Sequence, residues 1–463
     1  MYRSCLLTPL VFFLCLVGCG GEEGGFLPHE EPSTSIGELT LDEQIDSALL
    51  AINNYKNFCS QTPEAALCQS QANRFEPNQF SMSPNTGEAI LIVDEFSQLP
   101  LRAIRYKNRL KGFFRAQAGG DIQPVQFDWN TPAAFFTVLT RFATPDLIPA
   151  ESLRRLSGPL SEVFGYLNDQ NFGHGSIIFS LLIEANPRQP VVILDRPTLA
   201  GIASEEFCDS TGESHPALLQ KSEHVASELV RIMTEHNVRF VNVSFGETLE
   251  TIRDSWRRLC VGNLPSDSIL RGKLAAYKPI VKALAKTPGV FAAQSAINAS
   301  NAQDFPYDYP SQEYPNRVLA GYFTTLTSGL DEQGRGNYSA LVGWPQRQNV
   351  DLYLNSGVLA QRPFPYNQTP LLQVDGFGTD IYPITSTATS WIAPLALSRF
   401  IHLRYSSFGN DAMNDQLIEK IRARMVPVAC GNPKTACVYQ DPLLHGQIEA
   451  VRLGYRNRQY QEP

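Results

Sequence analysis

The sequence predicts an α/β fold, a doubly wound and mainly parallel sheet flanked by helices. Two observations carry that prediction. The first is a set of short apolar runs that are continuous rather than alternating: AILIVDEF (89–96), PVVILD (190–195), VRFVNVSF (238–245), GVFAAQSA (289–296) and RVLAGYF (317–323). Strands of that kind belong to a parallel sheet covered on both faces, because neither face then meets water. The second is the set of helix-like segments between them: SIIFSLLIEA (176–185), HVASELVRIMTEHN (224–237) and KLAAYKPIVKALAKT (273–287) precede the second, third and fourth runs. Alternation of strand and helix signals βαβ units.

Composition agrees with a globular protein. The 463 residues are 43% hydrophobic and 18% charged and include 26 Phe, enough apolar surface for a sizeable core and unlike a disordered chain. A net charge of −8, with no Lys/Arg-rich run, argues against nucleic-acid binding.

From the N-terminus onward, Arg3 is followed by an apolar run to Val17, too short to span a bilayer comfortably and shaped like a secretory signal. Leu16-Val17-Gly18-Cys19 resembles the lipobox of bacterial lipoproteins. That resemblance implies cleavage after residue 18 and a lipid on Cys19, and Gly20 behind it implies sorting to an outer membrane. Residues 19–40 read as a flexible acidic tether. Residues 41–85 hold a helix (LDEQIDSALLAINNYKNF) and a Cys-bounded loop. Once the signal is removed and Cys19 lipidated, Cys59, Cys68, Cys208, Cys260, Cys430 and Cys437 remain, an even number suited to disulfides in an oxidising compartment. Sequence proximity suggests 59–68 and 430–437, which leaves 208–260. No CxxC or HExxH spacing supports zinc.

In an open parallel sheet, functional residues gather at the carboxyl ends of strands. Asp94, Ser244, Gly246 and Asn298 stand there, and each alone is an ordinary turn or capping residue type. His174 lies between two glycines at the start of an apolar helix. Thr389-Ser390-Trp391-Ile392-Ala393-Pro394 leads into a helical stretch to about Tyr405, and a serine at a helix start meets orphan N–H groups that favour negative charge. Pro394 requires that the helix has barely begun.

Taken together these segments resemble the subtilisin-like serine peptidases, in order as well as motif. The sequence runs ILIVD94, then His174-Gly175-Ser176, then Asn242-Val243-Ser244-Phe245-Gly246, then PGVFAAQSAIN298, then Ala388-Thr389-Ser390-Trp391-Ile392-Ala393-Pro394. DYPSQEYPNRVLAGYF and HGQIEA (445–450) resemble two further stretches of that family. The resemblance covers roughly residues 88–452 and implies a peptidase domain over 86–455, with a tail at 456–463. It implies that Ser390 is the nucleophile, His174 its base and Asp94 the orienting carboxylate, in the Asp-His-Ser order of the subtilisin solution. Asn298 is then an oxyanion donor, and Ser244, Phe245 and Gly246 pair with extended substrate backbone.

The implied partners are a polypeptide substrate and a lipid bilayer reached through Cys19. No cofactor is implied; structural calcium stays open, with no ligand set matched. Several positions depart from the family pattern: Glu95-Phe96 follow Asp94, Ile177 replaces a second histidine, Ala388 replaces a glycine, and Ile392 replaces a small residue. These departures keep open an inactive, peptide-binding relative of the family. An unrelated α/β hydrolase fits less well, since the chain has no G-x-S-x-G elbow.

Overall fold

The computed structural model describes residues 39–68, 71–74, 87–96, 101–106, 109–125, 128–131, 138–139, 141–144, 147–164, 173–186, 189–195, 197–244, 246–296, 301–308, 313–323, 351–355, 372–374, 381–383, 389–409 and 411–425. The chain divides into two units, Met1–Gln44 and Ile45–Pro463. In the first, Thr40 and Glu43 form a capping box at the start of the Leu41–Gln61 helix: Thr40 N–H and hydroxyl donate to the Glu43 carboxylate at 2.8 Å, and Glu43 N–H donates back to Thr40 Oγ1 at 3.3 Å.

The second unit holds the sheet. Its strands are β1 (Gln71–Arg74), β2 (Ala89–Asp94), β3 (Leu110–Ala116), β4 (Ile122–Pro124), β5 (Asp128–Thr131), β6 (Val191–Asp195), β7 (Val238–Val243), β8 (Phe291–Ser295), β9 (Arg317–Phe323), β10 (Leu352–Asn355), β11 (Leu372–Val374) and β12 (Ile381–Pro383). Eight of them form one sheet in the order β10-β9-β8-β7-β2-β6-β3-β4, while β1/β5 and β11/β12 are separate antiparallel pairs. Every neighbour in the large sheet is parallel except β3/β4. The chain leaves β2 for β3 and β4, returns to β6, then crosses to β7 on the other side of β2 and winds outward. The winding therefore reverses at β2, and its carboxyl end opens the crevice where such sheets bind ligands.

The continuous apolar runs are explained by burial on both faces. Along β2, Ile90 and Ile92 enter one core while Ala89, Leu91 and Val93 enter the other. Helices His174–Ala185, Ile392–Ser407 and Asp415–Met425 cover the first face; His215–Glu235, Leu249–Leu259, Asp267–Ala275 and Lys278–Lys286 cover the second. The Ile392–Ser407 helix is apolar around most of its circumference, as a helix buried at the centre of a domain must be. Its Phe400 stacks on Phe291 of β8 with ring centroids 3.7 Å apart.

Three elements differ from the sequence expectation. The helix expected over 224–237 begins at His215, with Pro216 in its first turn. The stretch 273–287 is two helices, Asp267–Ala275 and Lys278–Lys286, because Pro279 lacks an N–H and cannot continue the first. The long interval between Asp94 and His174 carries β3, β4 and β5, and β3 extends the parallel sheet beside β6. Disulfides join Cys59 to Cys68, as sequence proximity suggested, and Cys208 to Cys260, the pair left over by that pairing. Cys19, Cys430 and Cys437 lie outside the described residues, as do the signal and tether. Among the described residues no helix is long and apolar enough to cross a membrane.

Candidate active site

Asp94 ends β2 fully buried. Its Oδ1 accepts the Glu95 N–H at 2.7 Å and lies 2.6 Å from His174 Nδ1. Those two residues are 80 positions apart in the chain, so the contact is made by the fold alone. Among the described residues Asp94 Oδ2 is buried without a partner. The buried carboxylate fixes the imidazole by its Nδ1 edge, which leaves Nε2 outside that bond; the His174 side chain is 36% exposed.

His174 is the first residue of its helix, whose N-cap Gly173 offers no side-chain acceptor. The loop after β2 supplies one from the main chain: Gly175 N–H donates to Glu95 O at 3.2 Å. A Cβ on Gly175 would lie 2.5 Å from that oxygen and 2.8 Å from the Phe96 ring, so only glycine lets the helix start dock there.

Ser390 lies in a short 3₁₀ turn, Thr389–Trp391, that runs directly into the Ile392–Ser407 helix. Pro394 thus falls in the first α-helical turn, where its missing N–H would have no intrahelical acceptor anyway. Trp391 is buried, its ring tilted against the His174 imidazole at a centroid distance of 5.2 Å. The two helices are pinned further down, where Asn186 Nδ2 donates to Ser398 Oγ at 2.8 Å and to Leu182 O at 2.9 Å. His174 and Ser390 are therefore carried on the starts of neighbouring helices, His174 over the carboxyl end of β2 and Ser390 beside the end of β7.

Ser244, one residue beyond β7, faces Ser390. Asn242 Nδ2 donates to Ser244 Oγ at 2.9 Å, Ser244 Oγ donates to Ser390 O at 3.0 Å, and Ser390 Oγ donates to Ser244 O at 3.3 Å. Gly246 follows, half-buried. Asn298 and Phe245, named by the sequence as oxyanion donor and substrate contact, lie outside the described residues.

Two contributors are not singled out by the sequence. Asp195 ends β6 in register with Asp94; its Oδ1 accepts Phe96 N–H at 3.1 Å and its Oδ2 pairs with Arg115 Nε at 2.6 Å. The pair holds the loop on which Gly175 docks. Its signal is the same one that marks Asp94, an acidic residue closing an apolar run. Trp391 is the second, and only its place beside Ser390 hints at a contact with His174. Among the described residues no group of three or more His, Cys, Asp or Glu could hold a metal ion.

No protein-family model matches the sequence, and no curated protein matches it. Solved structures do overlay on it loosely. The protease domain of PatA matches at 10% identity and TM-score 0.33, over 81% of this chain and 98% of that one. The epidermin leader peptide processing serine protease EpiP of Staphylococcus aureus matches at 10% and 0.34, over 83% of each chain. Pseudomonas sedolisin, a serine-carboxyl proteinase, matches at 13% and 0.30, over 76% of this chain and 86% of its own. Overlays at this level leave function to the geometry of the site.

Proposed function

We propose that the chain is an exported, membrane-anchored serine endopeptidase of the subtilisin-like kind. The observation that supports this best is the bond between His174 Nδ1 and the buried Asp94 carboxylate, beside the turn that carries Ser390. In this reading Ser390 Oγ attacks the scissile carbonyl carbon while His174 Nε2 takes the hydroxyl proton. The imidazolium then returns that proton to the leaving amine, and water hydrolyses the acyl-enzyme by the same base. Asp94 keeps the Nδ1 proton in place and stabilises the charged ring. The Ser390 N–H and the Asn298 side chain are the proposed oxyanion donors, each such donor being worth about 10²–10³ in kcat.

A fluorophosphonate probe tests the chemistry. Covalent labelling of the intact protein, lost in Ser390→Ala, is the expected outcome. A folded protein that is never labelled is the inactive, peptide-binding alternative. Anchoring through Cys19 rests on the lipobox-like sequence and has its own test: labelled fatty acid is incorporated in a bacterial host and lost in Cys19→Ala.

A further inference from the structure

We infer that His215 and Lys273 form an acid-sensitive latch, which holds the Asp267–Ala275 helix against the disulfide-bearing segment 204–214 and lets go when the His215 imidazole takes up a proton. The device does not depend on the peptidase reading. Two contacts close it, made at consecutive positions of one helix. The His215 ring lies so near Gly272 that a Cβ there would stand 2.2 Å from His215 Cε1 and 2.6 Å from Nδ1, so only glycine lets the two helices meet. The next residue, Lys273, is fully buried. Its ammonium donates to Glu206 O at 3.1 Å and lies 5.9 Å from the Phe207 ring centroid and 5.5 Å from that of Trp256. Glu206 and His215 flank the stretch that carries Cys208, which is bonded to Cys260. The Asp267–Ala275 helix therefore grips that stretch at both ends.

The latch closes on a neutral ring. His215 Nε2 is buried with no partner among the described residues. A proton placed there is a buried donor without an acceptor, and it adds a second positive charge beside the Lys273 ammonium. Burial first, and Lys273 second, hold the imidazole below its usual range; the Ile269 backbone and the Asp209 carboxylate pull the other way and are outweighed. Asp209 is already committed, accepting the N–H and hydroxyl groups of both Thr211 and Ser214. Glu206 and Lys221, the other charges on this segment and the helix after it, are paired with each other at 2.7 Å. Burial also holds the Lys273 ammonium below its usual value, with Asp209 opposing less strongly. Opening lets the imidazolium reach water. Because the closed form disfavours the proton, the latch is at full strength above about pH 6.5 and weakens as pH falls below it.

Hydrogen exchange of the full chain, read by mass spectrometry and corrected for the intrinsic pH dependence of exchange, tests this on segments 204–214 and 267–275. Strands β2 and β7 serve as the internal reference. Below about pH 6.5 the opening of both segments is expected to rise about tenfold per pH unit, the slope of one proton taken up on opening. In His215→Gln that rise is expected to vanish. In Lys273→Met the slope is expected to stop at a higher pH, giving a smaller total rise; a rise equal to that of the wild type overturns the ammonium's part. The same slope in His215→Gln overturns the latch, as does wild-type protection that is equal at about pH 7.5 and about pH 5. Should the variants fail to fold, the wild-type profile decides: a rise shared equally by β2 and β7 is global unfolding and overturns the latch, while a rise confined to the two segments supports it.

Discussion

Gly175 shows how much of the site depends on one missing side chain. The helix start that presents His174 docks on the loop after Asp94 only because position 175 has no Cβ to meet Glu95 O at 2.5 Å. Gly175→Ala is therefore expected to lower stability by about 1–3 kcal/mol, the usual range for overpacking, and to slow probe labelling by moving the imidazole. A thermal melt together with a labelling time course measures both. An unchanged melting temperature and rate would show that the loop yields freely. The substitutions around the triad are also residue-scale matters. Glu95 keeps its backbone N–H on Asp94 and its carbonyl on Gly175, so its main chain does the positioning whatever its side chain is. Ile177 packs at the margin of the core and accepts the Ser180 hydroxyl at its carbonyl, which is ordinary helix behaviour.

At the scale of elements, the two helices under the site and the ties between others are what hold the geometry. His174–Ala185 and Ile392–Ser407 lie on one face of the sheet, joined by Asn186 to Ser398, and Phe400 anchors the second to β8. On the opposite face, Cys208 and Cys260 cap the ends of two helices, Ser204–Phe207 and Leu249–Leu259, and close a loop with a sequence separation of 52. A cross-link over a loop of that length restricts the unfolded chain, and its loss costs about 2–4 kcal/mol. The denaturant midpoint of Cys208→Ser/Cys260→Ser should fall accordingly while the Asp94–His174 face, on the other side of the sheet, keeps its labelling in the native state. A midpoint equal to that of the oxidised protein would contradict this.

For the whole molecule, one fully buried carboxylate sets a pH dependence of stability. Asp308 accepts Gln294 Nε2 at 2.9 Å and sits near the guanidinium of Arg317, which donates to Gln294 Oε1 and to Tyr307 O. Burial pushes its carboxyl up to about 7; Arg317 and the Gln294 bond pull the other way and are outweighed. Because the folded value lies above the unfolded one, the folded state favours the protonated form. Stability from this group is fully present below about pH 4, declines as pH rises, and is gone above about pH 7. The decline is on the order of a few kcal/mol. Asp308→Asn should flatten that part of the stability profile in denaturant melts from pH 4 to 8. A wild-type profile that differs from that of Asp308→Asn by a constant over the same window would refute the assignment.

The sequence by itself determined the α/β class, the main strand runs, the Cys59–Cys68 bridge between near neighbours and the identity of Asp94, His174 and Ser390 as candidates. Continuous apolar runs, turn residues and motif order are local properties, and local properties survive without a fold. Helix boundaries near Pro216 and Pro279 were less legible, because a proline at a helix start and one at a break read alike in a periodic stretch. What only the tertiary structure decided was adjacency. Asp94 and His174 are 80 positions apart, Ser244 and Ser390 are 146, and nothing in either neighbourhood encodes the distance between them. That distance is set by where the winding of the sheet reverses and by which helices pack beside each other. The same is true of Asp195, Trp391 and the bond that turns the Ser390 hydroxyl toward Ser244, all products of packing between segments remote in the chain.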